Sequence, residues 1–170
     1  MVIQRITALL VIFSTFVWAS APEDRVSPSG FAGVEIGMSV SGASTASGMG
    51  LLPLREVAED ELGCYYVTPG GTPDSIFFMI WKGQVVRIDI DGPGILTVEG
   101  VGIGSTESEV FAAYPDQVIT TSHPYTGPEG HYLTVEFENN LAIILETDGE
   151  TVTSYRAGRD PAIRWIEGCS

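Results

Sequence analysis

The segment GVGIGSTESEVFAAYP, residues 100–115, predicts a tight strand-to-helix turn followed by a short helix. Thr106 occupies the position of a helix N-cap, and Glu109 three residues later completes a capping box. Three apolar residues then recur at helical spacing and predict one buried face, namely Val110, Phe111 and Tyr114. A proline follows them and ends the helix.

An earlier segment, GVEIGMSVSGASTASG at residues 33–48, opens with the same phrase. Gly33 through Gly37 corresponds to Gly100 through Gly104, an offset of 67 residues. Glycines and serines interrupt the stretch that follows, so we expect its helix to be short or frayed.

Two later segments each predict a pair of β-strands joined by a tight turn. SIFFMIWKGQVVRIDID at 75–91 turns at Lys82-Gly83, and LAIILETDGETVTSYRAG at 141–158 turns at Asp148-Gly149. The turn glycines are 66 residues apart, close to the offset of the opening phrases. Accidental repetition in a glycine-rich β protein is the alternative to a duplication. Further strands are predicted at 62–68, 131–138 and 162–168.

These patterns together predict an α+β fold made of two tandem copies packed as one unit. Each copy is a short helix followed by an antiparallel β-meander, at residues 33–99 and 100–170, and the second copy adds a C-terminal strand. Neither half is large enough to bury both faces of its sheet alone, so we expect the halves to share a core.

The first 19 residues have the three parts of a secretory signal peptide, with cleavage before Ser20. Residues 20–32 then predict a flexible lead-in. We therefore expect a secreted or periplasmic protein after cleavage, with no stable membrane insertion; an uncleaved anchor is the alternative.

The chain carries 8 Lys+Arg against 22 Asp+Glu, a formal net charge of −14. Such a surface repels nucleic acid and anionic lipid, which excludes nucleic acid as an expected partner. It would suit a protein partner with a basic surface, although acidity that only maintains solubility is the alternative.

Two cysteines, Cys64 and Cys169, lie in the part of the chain expected to be exported. An oxidising compartment permits them to pair, and so long a loop would gain roughly 4–5 kcal/mol from the bridge in a chain-entropy account. We predict a disulfide; two free thiols are the alternative.

The sequence contains no G-x-S-x-G, no S-x-x-K and no G-x-G-x-x-G motif. We therefore expect no cofactor, and the sequence favours a protein without catalytic activity. One acidic pair keeps an enzymatic alternative open: Asp89 and Asp91 share a strand face beside Arg87 and predict a cell-wall or polysaccharide hydrolase if they flank a cleft. An exposed polar strand face is the simpler interpretation.

The stretch HPYTGPEGHY at 123–132 predicts a proline-stiffened recognition loop. Its candidate binding residues are His123, Tyr125, Glu129 and His131. The two histidines and the glutamate would suit zinc, but their irregular spacing favours surface residues over a metal site.

The repeated G…IGM opening phrase, the short helix and the antiparallel meander resemble the β-lactamase inhibitory protein architecture. The same phrase resembles small outer-membrane assembly lipoproteins of the SmpA/OmlA type. The lipoprotein cysteine is absent here, and the inhibitor carries a cysteine pair in each half whereas this chain has two cysteines in total. The resemblance implies a fold used for protein binding. The expected function is an exported, non-enzymatic binding protein that engages another protein, and the hydrolase is the alternative.

Overall fold

The computed structural model describes residues 24–56, 63–70 and 75–169. The predicted signal peptide and its cleavage point lie outside the described residues. Strands occupy β1 Arg25–Val26, β2 Gly30–Phe31, β3 Val34–Glu35, β4 Leu51–Pro53, β5 Cys64–Pro69, β6 Ile76–Trp81, β7 Gln84–Ile90, β8 Leu96–Thr97, β9 Val118–His123, β10 Gly127–Phe137, β11 Leu141–Thr147 and β12 Val152–Arg159. The helices are α1 Val40–Ser47 and α2 Glu107–Ala113, and 3₁₀ turns cover Glu138–Asn140 and Ala162–Arg164.

Eight strands form one sheet in the order β4-β5-β6-β7-β12-β11-β10-β9. Every neighbouring pair in it is antiparallel. The short strands β1 and β8 pair in parallel, and β2 pairs with β3. Residues 24–32, expected to be flexible, therefore contribute two strands, and Val26 is fully buried.

The predicted α+β fold, in two tandem copies of a helix followed by a β-meander, is wrong. The described residues form a mostly antiparallel β structure, and the helices supply only eight and seven residues. β7 pairs with β12, so Ile90 lies opposite Tyr155 and the sheet is continuous across the two halves of the chain. Local sequence patterns located the elements, but pairing between distant strands decides the fold class.

The local turn and cap predictions are confirmed. Lys82 and Gly83 both have positive φ, 51° and 78°, in the turn between β6 and β7, where glycine adopts this conformation without steric cost. At α2, the Thr106 hydroxyl accepts from the Glu109 amide at 3.2 Å, and the Glu109 carboxylate accepts from the Thr106 amide at 2.7 Å. The predicted apolar face of α2 is only partly correct, because Val110 is buried while Phe111 is 44% exposed.

The two faces of the large sheet differ in chemistry because side chains alternate along each strand. One face, called here the core face, packs apolar side chains such as Phe78, Ile88 and Ile143 together with Ala43 of α1 and Val110 of α2. The other, called the polar face, carries charged and aromatic residues: Tyr66, Arg87, Asp89, Tyr132, Glu146 and Arg156. Within the described ranges, no helix has the length and apolarity needed to cross a membrane.

Candidate functional site

The C-terminal segment, residues 160–169, crosses the polar face of the sheet. A strand was predicted at 162–168, but the chain instead forms the 3₁₀ turn Ala162–Arg164 and then irregular backbone. The predicted disulfide is confirmed: Cys169 pairs with Cys64 at the start of β5, with a Cα–Cα distance of 5.4 Å. The bridge therefore fixes the end of the chain to β5, which is three strands away from β12 in the sheet.

Close packing also holds this segment against β5. Gly168 has a φ of 64°, and a Cβ atom there would lie 2.6 Å from the Tyr66 hydroxyl oxygen. Glycine is therefore required on both conformational and steric grounds. Burial raises the pKa of Tyr66 to about 12, so its hydroxyl stays protonated at neutral pH.

Two buried arginines bind the backbone of the C-terminal segment. Arg87 is 4% exposed, and its Nη1 donates to the carbonyls of Ala162 at 3.0 Å and Trp165 at 2.7 Å. Arg156 Nε donates to the Ile163 carbonyl at 2.8 Å. Side-chain donors thus take the place of the backbone partners that a strand at 162–168 would have had, and they satisfy carbonyls that would otherwise lack partners.

Each arginine is also neutralised by an acid on the same face. Arg87 Nε lies 2.9 Å from Asp89 Oδ2, and Arg156 is paired with Glu146. The ring of Tyr132 lies 5.1 Å from the Arg156 guanidinium carbon, within cation–π range. Buried charges are tolerated in proteins when they are paired and hydrogen-bonded, as these are.

A cleft of about 480 Å³ lies between the C-terminal segment and the polar face. Its apolar wall includes Leu54, Phe77 and Ile166. Its polar wall includes both arginines and their partner acids, together with Ser154 and Asp91. The side chain of Asp91 makes no hydrogen bond or ion pair with any described residue.

The two aspartates predicted as a hydrolytic pair do share this cleft. Burial raises the pKa of Asp89, and the neighbouring Arg87 opposes that effect. Burial and then repulsion by Glu146 raise the pKa of Asp91. Asp89 is committed to Arg87 at 2.9 Å, so the two carboxyls differ in their freedom to act on a ligand.

A second hollow of about 630 Å³ lies on the other side of the C-terminal segment. Trp81 and Trp165 meet there edge to face, with ring centroids 5.3 Å apart. The Lys82 ammonium lies 4.3 Å from the Trp81 ring centre. Tyr125 also lines this hollow, which places the predicted recognition loop beside the C-terminal segment.

The side chain of His123 is 10% exposed and is hydrogen-bonded within the protein. Its Nδ1 accepts from the backbone amides of Tyr125 and Thr126, each at 3.2 Å. The proton is therefore assigned to Nε2, which donates to Glu146 at 3.1 Å. Its ring also packs edge-on against Tyr132, with centroids 4.8 Å apart.

The other predicted binding residues do not converge on one point. Tyr125 is 66% exposed and its hydroxyl donates to Glu167 of the C-terminal segment. His131 lies on the opposite side of the sheet, where its Nδ1 is 2.7 Å from Glu107 of α2. Glu129 is exposed. No group of three potential metal ligands occurs in the part of the chain that the structure describes.

Sequence reasoning missed the arginines and Glu146 as organisers of the site. Alternation along β7 did place Arg87 beside Asp89 on one strand face, but that face was expected to be exposed. A basic residue between two buried-type neighbours, such as Arg87 between Val86 and Ile88, is the signal that could have indicated a buried charge.

Fold and site together define an antiparallel β protein with a charged cleft beneath a disulfide-tethered C-terminal segment. No family model matches the chain. It is 34% identical over 88 residues to large ribosomal subunit protein uL14 of Thermoplasma acidophilum, covering 50% of this chain and 64% of that protein. It is 31% identical over 118 residues to uL14 of Thermoplasma volcanium, covering 65% of this chain and 87% of that protein. By sequence similarity, the chain belongs to the family of large ribosomal subunit protein uL14.

A structural similarity was found to a crystal structure of an extracellular protein containing a SCP domain from Bacillus anthracis str. Ames. The TM-score is 0.49 and the sequence identity is 14%. The match covers 88% of this chain and 50% of that chain, so this chain spans half the length of that protein.

Proposed function

We propose that this protein is an exported, non-enzymatic binding protein that engages another protein through its polar face. One observation carries the proposal: an open cleft whose charged groups are mostly paired with one another is bordered by exposed apolar side chains. These rim residues are Leu54 at 52% exposure and Ile166 at 47%, which line the cleft, and Tyr125 at 66%, which lines the adjoining hollow across the C-terminal segment. Exposed apolar and aromatic anchors around a polar centre are typical of protein interfaces.

Charge indicates what kind of partner would fit this face. The chain has a formal net charge of −14, and the polar wall of the cleft holds Asp91 without an ion-pair partner among the described residues. A partner with a basic surface would be steered toward such a face and would gain affinity where its cations meet these acids.

Export is supported by the cysteines and by the N-terminal sequence. The disulfide between Cys64 and Cys169 is compatible with an oxidising compartment. The charged, apolar and small-residue order of residues 1–19 is the pattern of a secretory signal.

A ribosomal role, suggested by the name of the uL14 relatives, is the first competing function. Such a role would place the chain beside RNA, whose phosphates are bound mainly by lysine and arginine. This chain has 8 Lys+Arg against 22 Asp+Glu, and the most buried arginines are occupied by acids and backbone carbonyls. The charge therefore favours a protein partner over RNA.

The hydrolase is the second competing function, because Asp89 and Asp91 line one cleft and both have raised pKa values. The ion pair of Asp89 with Arg87 argues against it. Assay on a panel of cell-wall and polysaccharide substrates distinguishes the two: turnover that Asp91→Asn abolishes would replace the binding proposal with the enzymatic one.

The proposal is tested by affinity capture from an extracellular or envelope extract with matched variants. Tyr125→Ala and Ile166→Ala remove rim residues, whereas Phe111→Ala removes an apolar side chain that is 44% exposed on α2, away from the polar face. We expect the captured partner to bind the rim variants about tenfold or more weakly, since truncated interface anchors have effects of that size. Binding should be unchanged for Phe111→Ala. Equal loss in all three variants, or capture of RNA in place of protein, would contradict the proposal.

A further inference from the structure

Among the described residues, the strand β9, Val118–His123, forms one edge of the eight-stranded sheet and pairs only with β10. Its register with β10 is regular from Val118 to Ser122, so the pairing of this stretch is uninterrupted before the irregularity between Gly127 and His131. Its four central residues are exposed. The strand thus presents a complete backbone edge to the surroundings.

The direction of the backbone groups along β9 follows from its neighbour. The His131 amide of β10 donates to the Thr147 hydroxyl of β11 at 3.2 Å, so His131 directs its backbone away from β9. Ser122 lies opposite His131 and Thr120 lies opposite Leu133. Because antiparallel pairs alternate, Ser122 and Thr120 direct their N–H and C=O groups outward, as does Val118.

The two edges of the sheet differ in how they are protected. The opposite edge, β4, has three residues and ends in Pro53, which cannot donate to a ladder. β9 has six residues and contains no proline, glycine, lysine, arginine or carboxylate. Folded proteins usually shield an edge with such residues, so an edge lacking them is a template for another strand.

We infer that β9 binds an extended strand of a partner protein, one that carries basic side chains. A second copy of this chain fits poorly, because each copy has a net charge of −14. Asp116 is exposed and lies two residues before β9. Backbone hydrogen bonds would supply affinity, and this acid together with the net negative charge would select lysine or arginine on the added strand. The inference goes beyond the polar-face proposal and shares with it only a protein partner.

The test uses the oxidised protein and a short blocked peptide of alternating lysine and valine as the probe, followed by amide-resolved NMR. Thr120→Pro removes one outward N–H and leaves the ladder to β10 intact, whereas Thr120→Val keeps that N–H. A copy of the peptide N-methylated at alternate amides serves as a second probe, and a copy with glutamate in place of lysine tests the charge.

We expect saturable shifts at Val118, Thr120 and Ser122 in the native protein and in Thr120→Val, and their loss in Thr120→Pro. The N-methylated peptide should cause no shifts, which keeps the test valid if Thr120→Pro fails to fold. The glutamate peptide should bind at least about tenfold more weakly, because like charges oppose docking.

Amide chemical-shift changes away from β9, or changes that survive both Thr120→Pro and N-methylation of the peptide, would overturn the inference. So would a dimer in light scattering that Thr120→Pro converts to monomer, because a second copy would then occupy the edge. Tyr125→Ala should leave the peptide shifts unchanged, which separates this result from the polar-face proposal.

Discussion

The two faces of the central sheet are stabilised by different physical means. On the core face, apolar side chains such as Ile88 and Ile143 are fully buried. On the polar face, Arg87 and Arg156 pair with acids and donate to backbone carbonyls, and a disulfide fixes the end of the chain. Loss of apolar contact has a graded cost, whereas loss of one member of a buried ionic network leaves its partners without compensation. A single substitution on the polar face should therefore lower the free energy of unfolding more than a single conservative substitution on the core face.

The largest effect is expected from Arg87→Met. This change leaves the Asp89 carboxylate unpaired and removes donors from the carbonyls of Ala162 and Trp165. We expect the free energy of unfolding to fall by about 3–5 kcal/mol, the cost of breaking a buried pair. Denaturant unfolding measures it. Adding Asp89→Asn to the variant should restore part of the loss; a double variant less stable than Arg87→Met would show that the pair is not the cause.

The next largest effect is expected from removing the disulfide with Cys64→Ser and Cys169→Ser. The bridge closes a loop with a sequence separation of 105 residues. Its loss should lower the free energy of unfolding by about 2–5 kcal/mol. Thermal unfolding of the native and double-serine proteins checks this, and a change within experimental error would mean that the C-terminal segment is held without the bridge.

A smaller effect is expected on the core face from Ile143→Val, which deletes one methylene from a fully buried side chain. We expect a loss of about 0.5–1.5 kcal/mol that does not vary with pH, because no ionisable group is involved. Chemical denaturation at neutral and mildly acidic pH measures both points. A strongly pH-dependent loss would show that the two faces are not independent.

The smallest effect concerns Asp91, which is exposed at the cleft wall and whose pKa is raised above the ordinary aspartate value by partial desolvation and by repulsion from Glu146. Between that ordinary value and the raised one, the folded state binds more protons than the unfolded state, so this group's contribution to stability falls as pH rises. Asp91→Asn should therefore raise the melting temperature slightly at neutral pH. The difference should shrink as pH falls through about 4, the ordinary aspartate pKa, and disappear once the carboxyl is protonated in both states. A variant that melts lower than the native protein at neutral pH would contradict the assigned shift.

Sequence reasoning predicted the features of this molecule that depend on neighbouring residues. The capping box at Thr106 and Glu109 and the turns at Lys82-Gly83 and Asp148-Gly149 are local, and their geometry follows from the residue types. The disulfide was also predicted, because both cysteines lie in the part of the chain expected to be exported and allow only one intramolecular pairing.

The fold class and the site depend on contacts between distant residues, and there the predictions were wrong or incomplete. Pairing of β7 with β12 joins the halves of the chain in one sheet, which no local pattern specifies. The conformation of the C-terminal segment is set by Arg87, about 75 residues away in sequence. Burial of His123 follows from packing against Tyr132 of the neighbouring strand, so its place in a polar loop sequence suggested an exposed ligand.

The most direct test of the account is a double-mutant cycle between Arg87→Met and the paired change Cys64→Ser with Cys169→Ser, followed by denaturant unfolding. Both changes release the same C-terminal segment. The loss in free energy of unfolding caused by Arg87→Met should therefore be at least about 1 kcal/mol smaller when the disulfide is absent. Additivity within about 0.3–0.5 kcal/mol would contradict the account, because the arginine and the disulfide would then act on independent parts of the molecule.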